Sequence, residues 1–246
     1  IEIKNSKKVS LGGLIIYKPV FSGISVVDST EIGIIFVTVV GLRKYKNNPE
    51  FQNSNINGPQ INRINACFNL QTIDNLQMIF LLKCAGSEDY GFIIPPQQCP
   101  DFAPFLFHTA FATRIGFYIE NILDNQRCLK ISSLVSFNNR ENGIIINLKT
   151  NTLILENITT IQDKHGIVIH CSSVDKYLSI VKYTISKLLI VGSSLENPKC
   201  IPQEYIEEDK NFQQIGLTLL TTSKKKSLNI NSNNLEYSEE NAVFRN

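Results

Sequence analysis

Three histidines, His108, His165 and His170, and six cysteines are the side chains of this chain best suited to hold a metal or attack a carbonyl. His165 and His170 stand five residues apart in a strand-like run, so they are expected on opposite sides of a sheet. Cys171 diverges from His170 in the same way, which argues against a zinc site; core or hairpin-end histidines are expected. Cys84, in Lys83-Cys84-Ala85-Gly86-Ser87-Glu88-Asp89, has acids nearby but no helix N-terminus or histidine to activate a thiolate. Gly12-Gly13 lacks the following helix and lysine of a phosphate loop. Glu207-Glu208-Asp209 and Glu239-Glu240 are contiguous acids, read as solvated and not as a converging catalytic pair. No catalytic residue, cofactor or metal is therefore expected, and the chain reads as a non-enzyme.

The basic residues are more suggestive. Lys7-Lys8, Arg43-Lys44-Lys46, Lys176, Lys182, Lys187 and Lys224-Lys225-Lys226 are read as able to share one face. Each Lys or Arg near an anionic leaflet is worth about 1 kcal/mol. Aromatic residues are not interleaved with them, so a groove that stacks single-stranded nucleic acid is poorly supported. A net charge of +2 is too mild to demand nucleic acid. The cysteines, Cys67, Cys84, Cys99, Cys128, Cys171 and Cys200, are scattered without a CxxC pair, and the expectation is reduced, buried thiols in an intracellular protein. Asn157-Ile158-Thr159 is the only glycosylation sequon, and a lone one arises easily by chance in an asparagine-rich chain.

The elements that must position these residues are short. With 43% hydrophobic and 19% charged residues over 246 positions, the chain can bury a real core. Apolar stretches of five to nine residues, rich in β-branched and aromatic side chains, end at Gly, Pro, Asn or Asp. Strands are expected at 14–21, 33–40, 66–70, 77–83, 91–94, 114–119, 130–137, 143–148, 152–158, 166–170 and 188–191, mostly antiparallel. The run Ile32 to Leu42 reads as one buried strand, too short to cross a bilayer as a helix. Gly143–Leu148 and Thr152–Ile158, joined by Lys149-Thr150-Asn151, read as a hairpin. A helix is expected at 174–186, because Val174, Leu178, Val181, Ile185 and Leu188 recur at threes and fours, with a weaker one in Phe102–Thr113. The segment 44–62 reads as a loop, Asp124–Arg127 as a boundary, and no internal repeat is seen.

The fold class expected is thus mostly β, as two consecutive β-sandwich-like domains with a few short helices. Residues 1–123 form the first domain, 124–222 the second with its helix at 174–186, and 223–246 a polar tail that is mobile or docks on a neighbour.

Val174 to Tyr205 ends in a proline loop and Pro202-Gln203-Glu204-Tyr205, and this order of elements resembles the end of paramyxovirus matrix proteins. Glu31–Gly41 and Asn65 to Pro95 resemble earlier parts of that family in the same order. The resemblance implies a dimer as building block and a self-assembling lattice on the inner face of a viral envelope, driving assembly and budding. Its implied partners are further copies, anionic phospholipid, the nucleocapsid and envelope glycoprotein tails, without a specific nucleic-acid sequence. Its implied location is the virion beneath the envelope, and the host cytoplasm and inner leaflet of the plasma membrane. On that implication Lys182, Lys187, Lys224, Lys225 and Lys226 are the expected membrane-binding residues. The alternative is a β-sandwich capsid or occlusion-type structural protein without membrane binding.

Overall fold

A computed structural model describes residues 1–42, 65–70, 73–74, 78–94, 97–98, 105–120, 128–148, 152–171, 180–191, 215–221, 225–230 and 236–237. Its architecture is a β-solenoid of parallel strands, with no helix among the described residues. The first sheet stacks eight strands in register: β1 (Glu2–Lys4), β4 (Ser22–Val27), β8 (Ala66–Asn69), β12 (Tyr90–Ile94), β16 (Ile115–Glu120), β18 (Asn142–Leu148), β20 (His165–Cys171) and β22 (Ile215–Thr221). A corner sheet holds β2 (Ser10–Gly12), β6 (Gly33–Ile35), β10 (Met78–Phe80) and β14 (Phe105–Leu106).

The long sheet faces the first across the core. It runs through β3 (Ile15–Tyr17), β7 (Thr38–Val40), β11 (Lys83–Ala85), β15 (His108–Phe111), β17 (Cys128–Phe137), β19 (Thr152–Ile161), β21 (Ile180–Val191) and β23 (Lys225–Ile230). Off that path, β24 (Glu236–Tyr237) pairs with β21, and β13 (Gln97–Gln98) makes the one antiparallel pair among the described strands, with β17. A small pair, β5 (Ser29–Thr30) and β9 (Ile73–Asp74), closes another side.

The corners explain how such short strands stay ordered. One residue at each corner takes a positive φ, and these residues stack in columns: Gly13, Phe36, Leu81, Phe107, Ser133, Asn157 and Lys187 at one corner, and Lys18, Gly41, Gly86, Ala112, Asn138 and Gln162 at the next. The left-handed conformation costs a non-glycine residue roughly 1–2 kcal/mol. The ladder compensates, because corner amides still donate along it: Phe36 N to Phe80 O, Gly86 N to Phe111 O, and Asn138 N to Ile161 O. Turning therefore leaves these amides paired.

Each corner also adds one residue to the inward alternation, and a three-residue step appears in sequence. Ile34, Val37, Val39 and Leu42 are all buried, and so are Ile79, Leu82, Cys84 and Ser87 on the next pass. Ile131, Leu134, Ser136 and Asn139, then Leu155, Ile158, Thr160 and Asp163, repeat the same three-two-three spacing and are buried too. Inside, Phe68, Phe92 and Phe117 form a continuous stack with ring centroids 4.8 and 4.7 Å apart, the distance between rungs. Beside that stack on the first sheet runs a column of glycines, Gly91, Gly116 and Gly143, facing the small residues Ala110 and Ser136 of the long sheet. A Cβ on Gly116 would strike Gly143 O and Ser136 Oγ, and one on Gly143 would strike Asp163 Oδ2 and Gly166 O, so the two sheets close to a distance only glycine permits.

Several expectations are overturned here. The fold is not two β-sandwich domains, and the ladders of both large sheets run past the expected boundary, from β16 to β18 and from β15 to β17. The hairpin does not form: the 143–148 strand pairs with β16 and β20, while the 152–158 strand pairs with β17 and β21. The helix expected at 174–186 is strand from Ile180 onward, and the one in Phe102–Thr113 contains β14 and β15; residues 174–179, like 44–62 and 124–127, lie outside the described residues. The physical reason is the corner step: Ile185 and Leu188 are three apart because Lys187 turns between them at φ 52°, and the spacing imitates a helix. The expected buried strand within 32–42 is β6 and β7 bent at Phe36. Part of the expected polar tail is strand as well, since β23 and β24 pair with β21. Finally, Cys67 and Cys84 are joined as a disulfide across the core, where reduced thiols were expected.

Candidate functional site

Two regions of the solenoid carry enough unusual chemistry to be weighed. The first is the polar corner where the chain leaves the long sheet for the first sheet. The residue after each corner turns inward, and on successive rungs it is Ser87, Thr113, Asn139 and Asp163, all buried. Asp163 Oδ1 accepts from Asn139 N and Nδ2, each at 2.8 Å, and Oδ2 accepts from Ser136 Oγ at 2.9 Å. Asn139 Oδ1 in turn accepts from Thr113 N at 2.8 Å and Thr113 Oγ1 at 2.6 Å. Burial pushes the Asp163 carboxyl up to about 7, against the three hydrogen bonds that pull it down.

A raised carboxyl is the mark of many catalytic acids, but this one has no path to a substrate: it is 5% exposed and enclosed by its own ladder. The groups outside it are committed to one another. Arg114 Nε donates to Asp89 Oδ1 at 3.0 Å and Nη1 to Glu141 Oε2 at 3.2 Å, and its guanidinium lies over the Tyr90 ring. Burial lowers the Arg114 pKa, yet the hydrogen bond and charge of Asp89 outweigh it and leave it raised. Burial, then the charge of Lys164, hold His165 below the ordinary histidine range. The corner is a structural polar spine, which fixes each turn of the chain over the last.

The second region is the outer surface of the long sheet and its corner with β2, β6 and β10. Side chains alternate in and out along a strand, so two columns point outward. One is Ile15, Thr38, Lys83, Thr109, Val135, Thr159 and Leu189; the other is Tyr17, Val40, Ala85, Phe111, Phe137, Ile161 and Val191. Ile15 and Tyr17 are 79% and 67% exposed, and Phe111 stacks on Phe137 at 4.4 Å while staying exposed. On the adjoining corner Phe36 and Phe107 are both exposed and each packs edge-on against Phe80, at 5.8 Å, with Met78 exposed beside them. Apart from Ile1, every exposed large hydrophobic among the described residues belongs to this face and corner. Their register along the strands, and not the size of the interior, places these side chains outside.

Four of the five expected membrane residues lie in the last strands of the long sheet, β21 and β23. Lys182 stands in register with Thr152 and Ser227, and Lys225 and Lys226 with Ile180 and Val181, so β21 and β23 bring three of them onto neighbouring strands. Lys187 is exposed at the corner, 3.8 Å from Glu156 Oε1; Lys224 lies outside the described residues. Glu156 also binds Lys130 at 2.6 Å, and that hydrogen bond is the main reason its pKa is lowered. Of the histidines, His108 is buried against Phe92, and burial drops it to about 3. His165 and His170 sit in β20 beside Asn142 and Asn147, and the described residues hold no group of three or more potential metal ligands. Gly12 lies in β2 and Gly13 at a corner with φ 65°, which accounts for that pair; the acidic runs at 207–209 and 239–240 lie outside the described residues.

Sequence reasoning did not assemble the apolar face as one surface. Its signal was present in Ile15, Tyr17, Val40, Phe111, Val135 and Phe137, but each of those looked like half of an ordinary buried strand. No family model, curated protein or solved structure matches this chain.

Proposed function

We propose that this protein is a non-enzymatic structural scaffold that assembles with further copies of itself through the outer face of the long sheet. The observation that carries the reading is the concentration of exposed large hydrophobics on that one face and its corner. The occupant is a second copy, because the face is flat and nearly uncharged: Lys83 is the single charged residue in fourteen outward positions. An anionic lipid surface would call for cations spread through the contact, and a polar ligand for hydrogen-bonding groups. Seven strands about 4.8 Å apart give a strip roughly 30 Å long, and two outward columns make it about 15 Å wide. Two such strips bury on the order of 900 Å², and the Phe36–Phe107 corner brings the total towards the roughly 1,200 Å² of a specific interface.

The reading keeps the structural, self-assembling class expected from sequence, which the matrix interpretation and its capsid-type alternative share. It does not keep the two expected β-sandwich domains, which the matrix resemblance also implies. The test is sedimentation velocity across the micromolar range on the native chain and on Phe111→Glu and Val135→Glu, which change outward side chains only. Reversible dimers or larger species that dissociate in both variants are expected. A native chain that remains monomeric, yet floats with phosphatidylserine vesicles and loses that binding in Lys187→Glu, would overturn self-assembly in favour of the membrane role.

A further inference from the structure

We propose that Asn157 is a site of N-linked glycosylation, an inference that stands apart from the self-assembly reading. The sequon Asn157-Ile158-Thr159 has only sequence behind it until it is placed on the solenoid. There Asn157 occupies a vertex: it is exposed, with φ 56°, in the corner column between Ser133 and Lys187, while Ile158 beside it is buried and Thr159 points outward on the long sheet. A side chain at a vertex projects away from both adjoining faces, and asparagine tolerates this backbone geometry better than most residues. A group carried on it displaces nothing from the core and interrupts no rung.

A second, independent observation points to the compartment in which such sites are used. Cys67 and Cys84 form a disulfide between the two facing sheets, and both are buried. Disulfides form and persist where folding is oxidising, and in a eukaryote that is where oligosaccharide is transferred to asparagine. The step needs a lipid diphosphate-linked oligosaccharide as donor. Asn157 Nδ2 forms a bond to the anomeric carbon as that carbon's bond to the diphosphate oxygen breaks; the diphosphate leaves with the electron pair, and the amide loses one proton. Asn157 is two rungs, about 10 Å, beyond Phe107 along the corner, so the glycan bounds the apolar face at its edge and leaves Phe36, Met78 and Phe107 clear.

The experiment is translation of the chain behind a cleavable signal peptide in the presence of microsomes, followed by peptide N-glycosidase and intact mass measurement. One glycan is expected, removed by the glycosidase with conversion of Asn157 to Asp, and absent from both Asn157→Gln and Thr159→Ala. Microsome-protected chain without added mass would overturn the proposal, as would a glycan that persists in both variants. Because acceptance is scored on the translocated chain, a variant that fails to fold is scored in the same way, and no result depends on whether the chain self-associates.

Discussion

Replacing Asp163 by Asn should change how the stability of this protein depends on pH. The carboxyl is buried, and its pKa lies at about 7 against 3.8 in a solvated chain. Between those values the folded state holds more protons than the unfolded one, so stability is full below about 4 and falls as pH rises towards 7. At about 1.4 kcal/mol per pH unit, a gap of roughly 3 units is worth on the order of 4 kcal/mol at most. An asparagine keeps an oxygen for Asn139 N and Nδ2 and, like the protonated carboxyl, offers a donor at the position facing Ser136 Oγ, so below pH 4 it costs at most about 1 kcal/mol. The variant should therefore be close to the native chain at pH 4 and stronger at pH 8, by urea unfolding at matched ionic strength. The quantity to compare is the difference between the two proteins, since other groups titrate in both. If that difference stays constant from pH 4 to pH 8, Asp163 does not gain its proton on folding, and the account of the polar spine as a desolvated ladder is wrong.

His108 should act in the opposite sense: its pKa falls on folding to about 3, so the folded state holds fewer protons between 3 and 6.5 and stability is lost as pH falls through that window. His108→Leu, which continues the column of Leu134, Ile158 and Leu188, should flatten the acid limb of the stability profile. Gly143→Ala places a methyl against Asp163 and the Gly166 carbonyl, and should either destabilise by more than about 3 kcal/mol or prevent folding, as judged by far-ultraviolet dichroism and proteolysis. Changing both Cys67 and Cys84 to alanine removes a cross-link that spans 17 residues and should lower unfolding free energy by about 3 kcal/mol, with reduction of the native chain producing a comparable loss.

Strand positions were largely legible, because short β-branched runs stopped by Gly, Asn and Asp are a local signal; the 66–70, 91–94, 114–119 and 143–148 strands all coincide with strands of the first sheet. What joins to what was not legible. A parallel ladder pairs residues 23 to 50 positions apart, as in Ile144 with Ile167 and Ile167 with Leu217, and the loops between rungs vary enough to hide any fixed period. The repeat that does exist is a pattern of steps, three, two and three, in which the inward residue changes from Leu42 to Ser87 to Asn139 to Asp163. Read for hydrophobicity alone, the last members of that column disappear, since polar side chains occupy a buried position by bonding to one another.

The same alternation explains why the apolar face stayed hidden while the lysines attracted notice. In a two-layer sandwich one face of each strand is wet and should be polar, so the apolar residues of Phe111–Phe137 or Val135 would be assigned to the core. In a solenoid the inward set is already supplied by His108, Ala110, Leu134 and Ser136, which include two polar residues, and the more hydrophobic set is outside. An inward column of small or polar residues beside an outward column of aromatic ones is the reverse of what folding alone favours. Ala110 and Ser136 are held small by the glycine column they face, since Gly91, Gly116 and Gly143 bring the sheets too close for larger side chains there. Among the described residues nothing inside requires Ile15, Tyr17 and Phe111 to be hydrophobic, and the self-assembly proposed for that face would supply the requirement.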